Sequence, residues 1–195
     1  MVLGFWQLHS YSTQAGASGA APQRLADTRL SDKAPGARLL FFAHPHCPCT
    51  KASLVELAII LERVPQDIVT EVHFVRPTGV SAGWERTASW EAAAKLPGVK
   101  VLCDEAGELA QQMGAQTSGQ AMLYDRQGKL LFRGGLTRAR GQAGESPGRR
   151  AILALLAGST APATAPVFGC PLLNAPSVCS SEDCLSEAGS CQSCR

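Results

Sequence analysis

Two features are scarce in this sequence: charge and long apolar runs. Charged residues are 17% of the chain, and 18 Lys and Arg against 16 Asp and Glu leave a formal net charge of +2. The basic side chains are scattered, which argues against the concentrated positive surface of a nucleic-acid-binding protein. We therefore expect no nucleic-acid partner. The apolar stretch at residues 2–8 is far shorter than the roughly 20 residues of a membrane-spanning helix.

The N-terminus also lacks early basic residues, the first being Arg24. A signal peptide with a charged leading region is therefore not evident. Residues 10–26 are rich in Ser, Gly, Ala and Gln, a composition typical of linkers. Two interpretations stay open for residues 1–37 as a flexible N-terminal segment. They are the remnant of a membrane anchor in a longer N-terminus, followed by a linker, or a frayed tail.

Cysteine, in contrast, is abundant, with eight in 195 residues. So many thiols favour an oxidising compartment, metal ligation or both. We therefore expect a periplasmic or extracytoplasmic protein that is membrane-anchored if the N-terminus is an anchor remnant. The last four cysteines are spaced like those of small disulfide or metal knots, although a disordered end with adventitious thiols explains them equally well. These tail cysteines are Cys179, Cys184, Cys191 and Cys194.

The middle of the chain predicts one α/β domain at residues 38–158. A uniformly apolar run at 38–43 indicates a buried strand, and a helical apolar period from Thr50 follows until Pro65. With a strand at 69–75 this makes a βαβ unit. Residues 159–195 are assigned to a Pro/Ala linker and a Cys-rich C-terminal tail. Further strands are predicted at 99–103, 120–124 and 130–132, and further helices at 84–96, 105–113 and 147–157.

The motif Cys47-Pro48-Cys49 lies between the first strand and the first helix. A residue before proline avoids the α region, and proline suits the first helical position, so Cys47 is predicted to be the N-cap. Backbone N–H groups and the helix dipole there favour thiolate over thiol. We expect an accessible Cys47 to act as the attacking thiolate and Cys49 as the resolving thiol. The alternative is a pair of buried small side chains or a structural disulfide.

Two histidines precede the cysteines, His44 and His46. In one interpretation His46 lowers the pKa of Cys47 electrostatically and assists catalysis, while His44 packs or faces solvent. No cofactor is then needed. In the other, Cys47 and Cys49 bind copper or zinc together with His44 and His46, since thiolate and imidazole suit both metals.

The element order and several segments resemble the thioredoxin-like superfamily, in its peroxiredoxin-like and TlpA-like branch with an extra αβ insertion. More narrowly, they resemble a group of bacterial thioredoxin-like proteins labelled RedB. The resemblance implies a three-layer α/β/α sandwich with a central mixed sheet. It also implies thiol–disulfide exchange with a protein substrate and a redox partner protein. The segments that carry it are residues 42–49, 132–137, 140–141 and 167–171.

The sequence departs from the family pattern in two places. One residue separates the cysteines where the family has two, so a disulfide between them would be strained and easily reduced. If that pair does not close, Cys103, on a strand expected to neighbour the first, or Cys170 could resolve Cys47. The family's cis-proline before the hairpin strand is replaced by Gly119 after Ser118, in a loop expected to face the site. Glycine there would open the thiolates to other ligands, metals included.

Three functions therefore stay open. The first is an extracytoplasmic thiol–disulfide oxidoreductase that uses the Cys-Pro-Cys motif. The second is a copper-binding carrier with a thioredoxin fold. The third is a non-catalytic binding module that keeps the fold without the chemistry.

Overall fold

The computed structural model describes residues 10–28, 30, 36–64 and 68–173. A short 3₁₀ helix, Leu25–Asp27, precedes the first strand. The strands are β1 (Arg38–Ala43), β2 (Val69–Arg76), β3 (Val99–Glu105), β4 (Gln120–Tyr124) and β5 (Leu130–Gly135). The helices between and after them are α1 (Thr50–Leu61), α2 (Ala88–Ala94), α3 (Glu108–Gln112) and α4 (Pro147–Leu156).

The strands form one mixed sheet in the order β3-β2-β1-β4-β5. Strands β1, β2 and β3 are parallel, and β4 is antiparallel to both β1 and β5. Every residue of β1 is buried, as expected of a central strand covered on both faces. The carboxyl end of β1 therefore delivers residue 44 and the cysteine motif to one edge of the sheet.

Successive side chains of β1 point to opposite faces of the sheet and join two separate apolar clusters. One face packs against α1, α2 and α4, and the other against α3 and the N-terminal stretch. This is the α/β/α sandwich with a central mixed sheet predicted from the sequence. The first cluster includes Leu39, Phe41, Leu57, Phe132 and Ile152, and the second includes Leu25, Leu40, Phe42, Met113 and Tyr124.

Two predicted helices are shorter than expected at their N-terminal ends. The helix expected from residue 84 begins at Ala88, because residues 82–86 turn and the N-cap Thr87 is extended (φ −103°, ψ 177°). The helix expected from residue 105 begins at Glu108, since Gly107 is left-handed (φ 63°). Trp84, predicted to be the first residue of this helix, lies in the preceding turn instead.

Residues on both sides of the domain assigned to 38–158 pack against it. Leu25 is buried, its N–H donates to Gly128 O (2.8 Å), and Tyr124 donates its hydroxyl hydrogen to Pro22 O (3.0 Å). Residues 16–25, whose composition is typical of a linker, therefore lie against the domain, and their small side chains allow close backbone packing. None of the described helices is long and apolar enough to cross a membrane.

The segment assigned to a linker after residue 158 also lies on the fold. Arg133 and Ala163 share a backbone hydrogen bond (2.9 Å), and Gly135 donates to Pro166 O (3.2 Å), so the chain runs along β5. It then crosses towards the cysteine motif as residues 167–172, which we name the C-terminal strap. Val167 and Leu172 of the strap are buried.

Candidate active site

The first helix begins later than the sequence predicts, and this changes the position of both cysteines. Thr50 is its first residue and Cys49, in helical geometry (φ −71°, ψ −22°), is the N-cap. Cys47 lies one tight turn earlier, with its N–H donating to His44 O (3.1 Å) and its carbonyl accepting from Thr50 N–H (3.1 Å). The prediction of Cys47 as N-cap is therefore wrong by two residues. Pro48 starts this preceding turn rather than α1 itself.

The C-terminal strap pairs with residues 116–118 beside the motif. Ser118 N–H donates to Cys170 O (2.8 Å), and Leu172 N–H donates to Gln116 O (2.9 Å). Thr117 and Pro171 form an antiparallel bridge between these bonds. The strap is thus a short strand added to the loop before β4. It places the backbone N–H of Cys170 3.4 Å from the sulfur of Cys47.

The strap covers the motif, so the expectation that Cys47 is accessible is wrong. Cys47 is 3% exposed and Cys49 is 8% exposed. The surroundings of the Cys47 sulfur are nevertheless polar, since they include Cys170, Ser118 and the backbone of Cys49. Four cysteines lie in the described part of the chain, and all are free thiols: Cys47, Cys49, Cys103 and Cys170.

Protons are shared unequally among the three neighbouring sulfurs. Burial, the largest single effect, would raise the pKa of Cys47, but hydrogen bonds from Cys170, Cys49 and Ser118 together lower it. Burial and the charge of Cys47 raise the pKa of Cys49. Burial and the hydrogen bond to Cys47 raise the pKa of Cys170 to about 12. Of these three thiols, Cys47 is therefore the one that ionises most readily.

Arg140 also lies at this site, where the sequence analysis did not place it. Its guanidinium donates to the carbonyl oxygen of Gly169 in the strap. Its positive charge is a smaller influence that partly offsets the raised pKa values of Cys49 and Cys170. It also stacks over the ring of Tyr11 at 4.8 Å. The sequence signals were its place in a Gly- and Arg-rich loop, which is equally typical of an exposed loop, and the resemblance carried by residues 140–141.

Ser118 and Gly119 do face the motif, as the loop position predicted. The Ser118 hydroxyl accepts from His44 N–H (2.9 Å) and lies 3.0 Å from Thr50 Oγ1. Gly119 has φ +95°, donates to Phe42 O (2.9 Å), and leaves room for Ser53, whose hydroxyl would lie 3.0 Å from a Cβ. Glycine suits this position because its positive φ strains other residues.

The two histidines form a cluster with Trp84 that points away from the sulfurs. His46 is exposed, its N–H donates to His44 Nδ1 (3.2 Å), and its Nε2 lies 3.2 Å from Trp84 O. The His46 and Trp84 ring centroids are 4.4 Å apart. The largest influences on the pKa of Cys47 are burial, Cys170, Cys49 and Ser118, whereas the His46 ring contacts Trp84. The tuning role of His46 stays a prediction. Burial and His46 lower the pKa of His44.

The structure does not gather the metal ligands predicted as an alternative. Within the described ranges, no three His, Cys, Asp or Glu side chains are grouped so as to hold a metal ion. His44 and His46 bond to each other and to Trp84 instead of turning toward Cys47 and Cys49.

Cys103 is not the neighbour that the sequence predicted. Strand β2 separates β3 from β1, and Cys103 is in register with Phe74, which is in register with Ala43. The Cα atoms of Cys103 and Ala43 are therefore two strand spacings apart, roughly 9.6 Å, which is more than a disulfide can bridge. Of the two resolving candidates, the fold brings Cys170 to Cys47. The four tail cysteines lie outside the described residues.

A cleft of about 930 Å³ opens beside the strap. It is bordered by the strap on one side and by β2 and α3 on the others. His44 connects this cleft with the cysteine motif. The lining includes Ala17, His44, Pro77, Gln111, Gln116 and Pro171.

No protein-family model matches the chain. A search of curated proteins also gives no match. Solved structures do resemble it. A hypothetical protein from Sinorhizobium meliloti 1021 is 22% identical, with 83% of this chain and 94% of that chain covered and a TM-score of 0.59. An uncharacterized conserved protein from Geobacillus kaustophilus is 20% identical, with 85% and 94% covered and a TM-score of 0.56. The pneumococcal exposed lipoprotein thioredoxin from Streptococcus pneumoniae is 20% identical, with 72% and 99% covered and a TM-score of 0.48.

Proposed function

The chain has a thioredoxin-like fold, and from this premise and its three neighbouring thiols we propose that it catalyses thiol–disulfide exchange. One observation carries the proposal. Hydrogen bonds lower the pKa of Cys47, whereas the pKa values of Cys49 and Cys170 are raised. A thiolate beside two protonated thiols is the arrangement that attack followed by resolution requires.

The reaction proceeds in two steps. The Cys47 thiolate attacks one sulfur of a substrate protein's disulfide, and the other sulfur leaves as a thiolate that takes a proton from water. A second thiol of this chain, Cys49 as the sequence predicts, then loses its proton and attacks the sulfur of Cys47. The substrate leaves with two electrons and two protons gained, and this chain holds a disulfide. Running both steps in reverse oxidises a substrate dithiol.

The cycle needs a redox partner protein. When the chain reduces its substrate, a dithiol partner reduces the disulfide formed in this chain. When the chain oxidises its substrate, a partner that oxidises dithiols forms that disulfide again. We place the reaction outside the cytoplasm, because eight cysteines suit an oxidising compartment better than a reducing one. A membrane tether through a longer N-terminus remains part of this proposal.

The test uses the metal-free full chain with insulin and a dithiol reductant, and separately with a reduced two-cysteine peptide. We expect wild type to accelerate insulin reduction or peptide oxidation, Cys47→Ser to abolish it, and the control Cys103→Ser to retain it. Inactivity of the wild-type protein in both assays would overturn the proposal. Stoichiometric uptake of Cu(I) by such an inactive protein, lost in Cys49→Ala, would instead support the copper carrier. A Cys47→Ser, Cys49→Ser double variant that keeps its function in cells would support the binding module.

A further inference from the structure

We propose that the C-terminal strap occupies the substrate site of this chain and carries its resolving thiol. Cys170, rather than Cys49, closes the disulfide with Cys47, and in the reduced protein the strap occupies the edge that an extended cysteine-containing peptide must use. The peptide binds when the strap leaves residues 116–118. Return of the strap releases the peptide. This inference rests on the proposed function and names the resolving thiol and the binding edge of the same site.

The strap is bound in the way that an extended peptide binds a sheet edge. Its carbonyl at Cys170 and its N–H at Leu172 pair with Ser118 N–H and Gln116 O. Main-chain pairing of this kind depends on backbone groups rather than on particular side chains. If the strap leaves, the same donor and acceptor are free beside Cys47. A second extended segment can then form the same two bonds.

The side chains of Cys49 and Cys170 both contact Cys47, and the backbone geometry favours Cys170 as its disulfide partner. Cys170 contacts the Cys47 sulfur through both its backbone N–H (3.4 Å) and its side chain. Cys49 is held in helical geometry as the N-cap, and its carbonyl accepts from Ser53 N–H (3.3 Å). A disulfide across one intervening residue would have to distort this helix start. A disulfide to Cys170 needs only the strap to shift.

Cys170 is also more exposed than Cys47 and Cys49. Cys47 is 3% exposed and Cys49 is 8% exposed, whereas Cys170 is only half-buried and Pro171 beside it is exposed. A partner dithiol can therefore reach the sulfur of Cys170 first. It attacks that sulfur, the Cys47–Cys170 bond breaks, and Cys47 leaves as the stabilised thiolate. The partner's second thiol then releases Cys170 as a thiol and leaves the partner oxidised.

The strap is attached closely enough to shield the site but through few contacts next to the sulfur. Gly169 lies against the loop so tightly that a Cβ on it would be 2.0 Å from Ser118 O. Arg140 donates to the carbonyl of Gly169. Gly16 N–H donates to Val167 O (2.8 Å) at the strap's start. Lifting residues 169–172 therefore breaks a small set of backbone bonds and exposes the buried side chain of Leu172, and it leaves the sheet intact.

The first experiment identifies the disulfide. The reduced full chain is oxidised with diamide, free thiols are blocked with N-ethylmaleimide, and the non-reduced digest is mapped by mass spectrometry. We expect a Cys47–Cys170 cross-link, lost in Cys170→Ser and kept in the control Cys103→Ser. Cross-linking of Cys47 to Cys49 alone, with Cys170 alkylated, would overturn the inference. Because diamide replaces the substrate, this result does not depend on enzymatic activity.

The second experiment detaches the strap without removing a thiol. Gly169→Ala forces a Cβ against the Ser118 carbonyl, and Arg140→Gln removes the guanidinium contact in case the first variant misfolds. We expect alkylation of Cys47 by iodoacetamide to rise roughly tenfold or more, since a covered group reacts only from its open state. Reaction with a disulfide-containing peptide should rise with it. An unchanged rate in both folded variants would refute the strap as a cover. The control is Arg150→Gln, which changes an exposed arginine away from the strap.

Discussion

Replacing Ser118 with Ala tests the physical origin of the Cys47 thiolate. The Ser118 hydroxyl accepts from His44 N–H (2.9 Å) and lies 3.0 Å from Thr50 Oγ1, which itself donates to His44 O (3.2 Å). The Ser118 hydroxyl has one hydrogen, which it can direct to Thr50 Oγ1 or to the sulfur of Cys47. The bond to the sulfur is one of those that lower the pKa of Cys47. Burial acts in the opposite direction. Without the hydroxyl, burial is less well offset and the pKa must rise.

The size of the shift follows from the bond that is lost. A hydrogen bond to a charged group contributes about 1.5–3 kcal/mol, and one pKa unit corresponds to about 1.36 kcal/mol. Ser118→Ala should therefore raise the pKa of Cys47 by about 1–2 units. The bonds from Cys170 and Cys49 remain, so the pKa should not rise by more than this.

The measurement is the rate of Cys47 alkylation against pH, followed by mass spectrometry of the peptide that contains it. The midpoint should move to higher pH in Ser118→Ala and stay in place in Ser53→Ala, a buried serine that does not contribute to the Cys47 pKa. A midpoint that stays in place or moves to lower pH in Ser118→Ala would show that this hydroxyl does not stabilise the thiolate.

Two predictions concern stability rather than chemistry. Arg149→Leu leaves the fully buried carboxylate of Glu56 without its ion pair (2.6 Å) and should cost about 3–5 kcal/mol in urea unfolding. The exposed control Arg150→Leu should cost less than about 1 kcal/mol, and equal losses would contradict the argument. A hydrogen bond from His73 lowers the pKa of Glu71 against the effect of burial, so this carboxylate stabilises the fold above its unfolded pKa and the contribution is lost as pH falls through the lowered value. Glu71→Gln should flatten the acid side of the stability–pH curve, and an unchanged slope would contradict this.

The elements that the sequence predicted well are those with a strong local signal. Strand β1 has the predicted bounds, Arg38–Ala43, because a central parallel strand is apolar at every position. The helix at Thr50–Leu61 covers the predicted apolar period, although its N-cap lies two residues after the predicted one. These patterns also implied the βαβ unit and, with it, the motif at the carboxyl end of β1.

The predictions that failed concern contacts between distant parts of the chain. Cys170 and Cys47 are 123 positions apart. The sequence named Cys170 as one candidate resolving thiol, but the strap that carries it was assigned to the C-terminal tail. Trp84 was expected to begin a helix, although it lies before the helix and packs on His46. Arg140 showed only a weak local signal. In each case the side chain's role depends on which segment the fold brings next to it.

The amino-acid sequence by itself determined the βαβ core and the presence of a thiol pair at a helix start, because both depend on the order of neighbouring residues. Only the tertiary structure decided which sulfur ionises, what covers it and which thiol lies against it. Those properties depend on burial and on hydrogen bonds from Ser118 and Cys170. Such bonds exist only once the loop before β4 and the C-terminal strap have packed around Cys47.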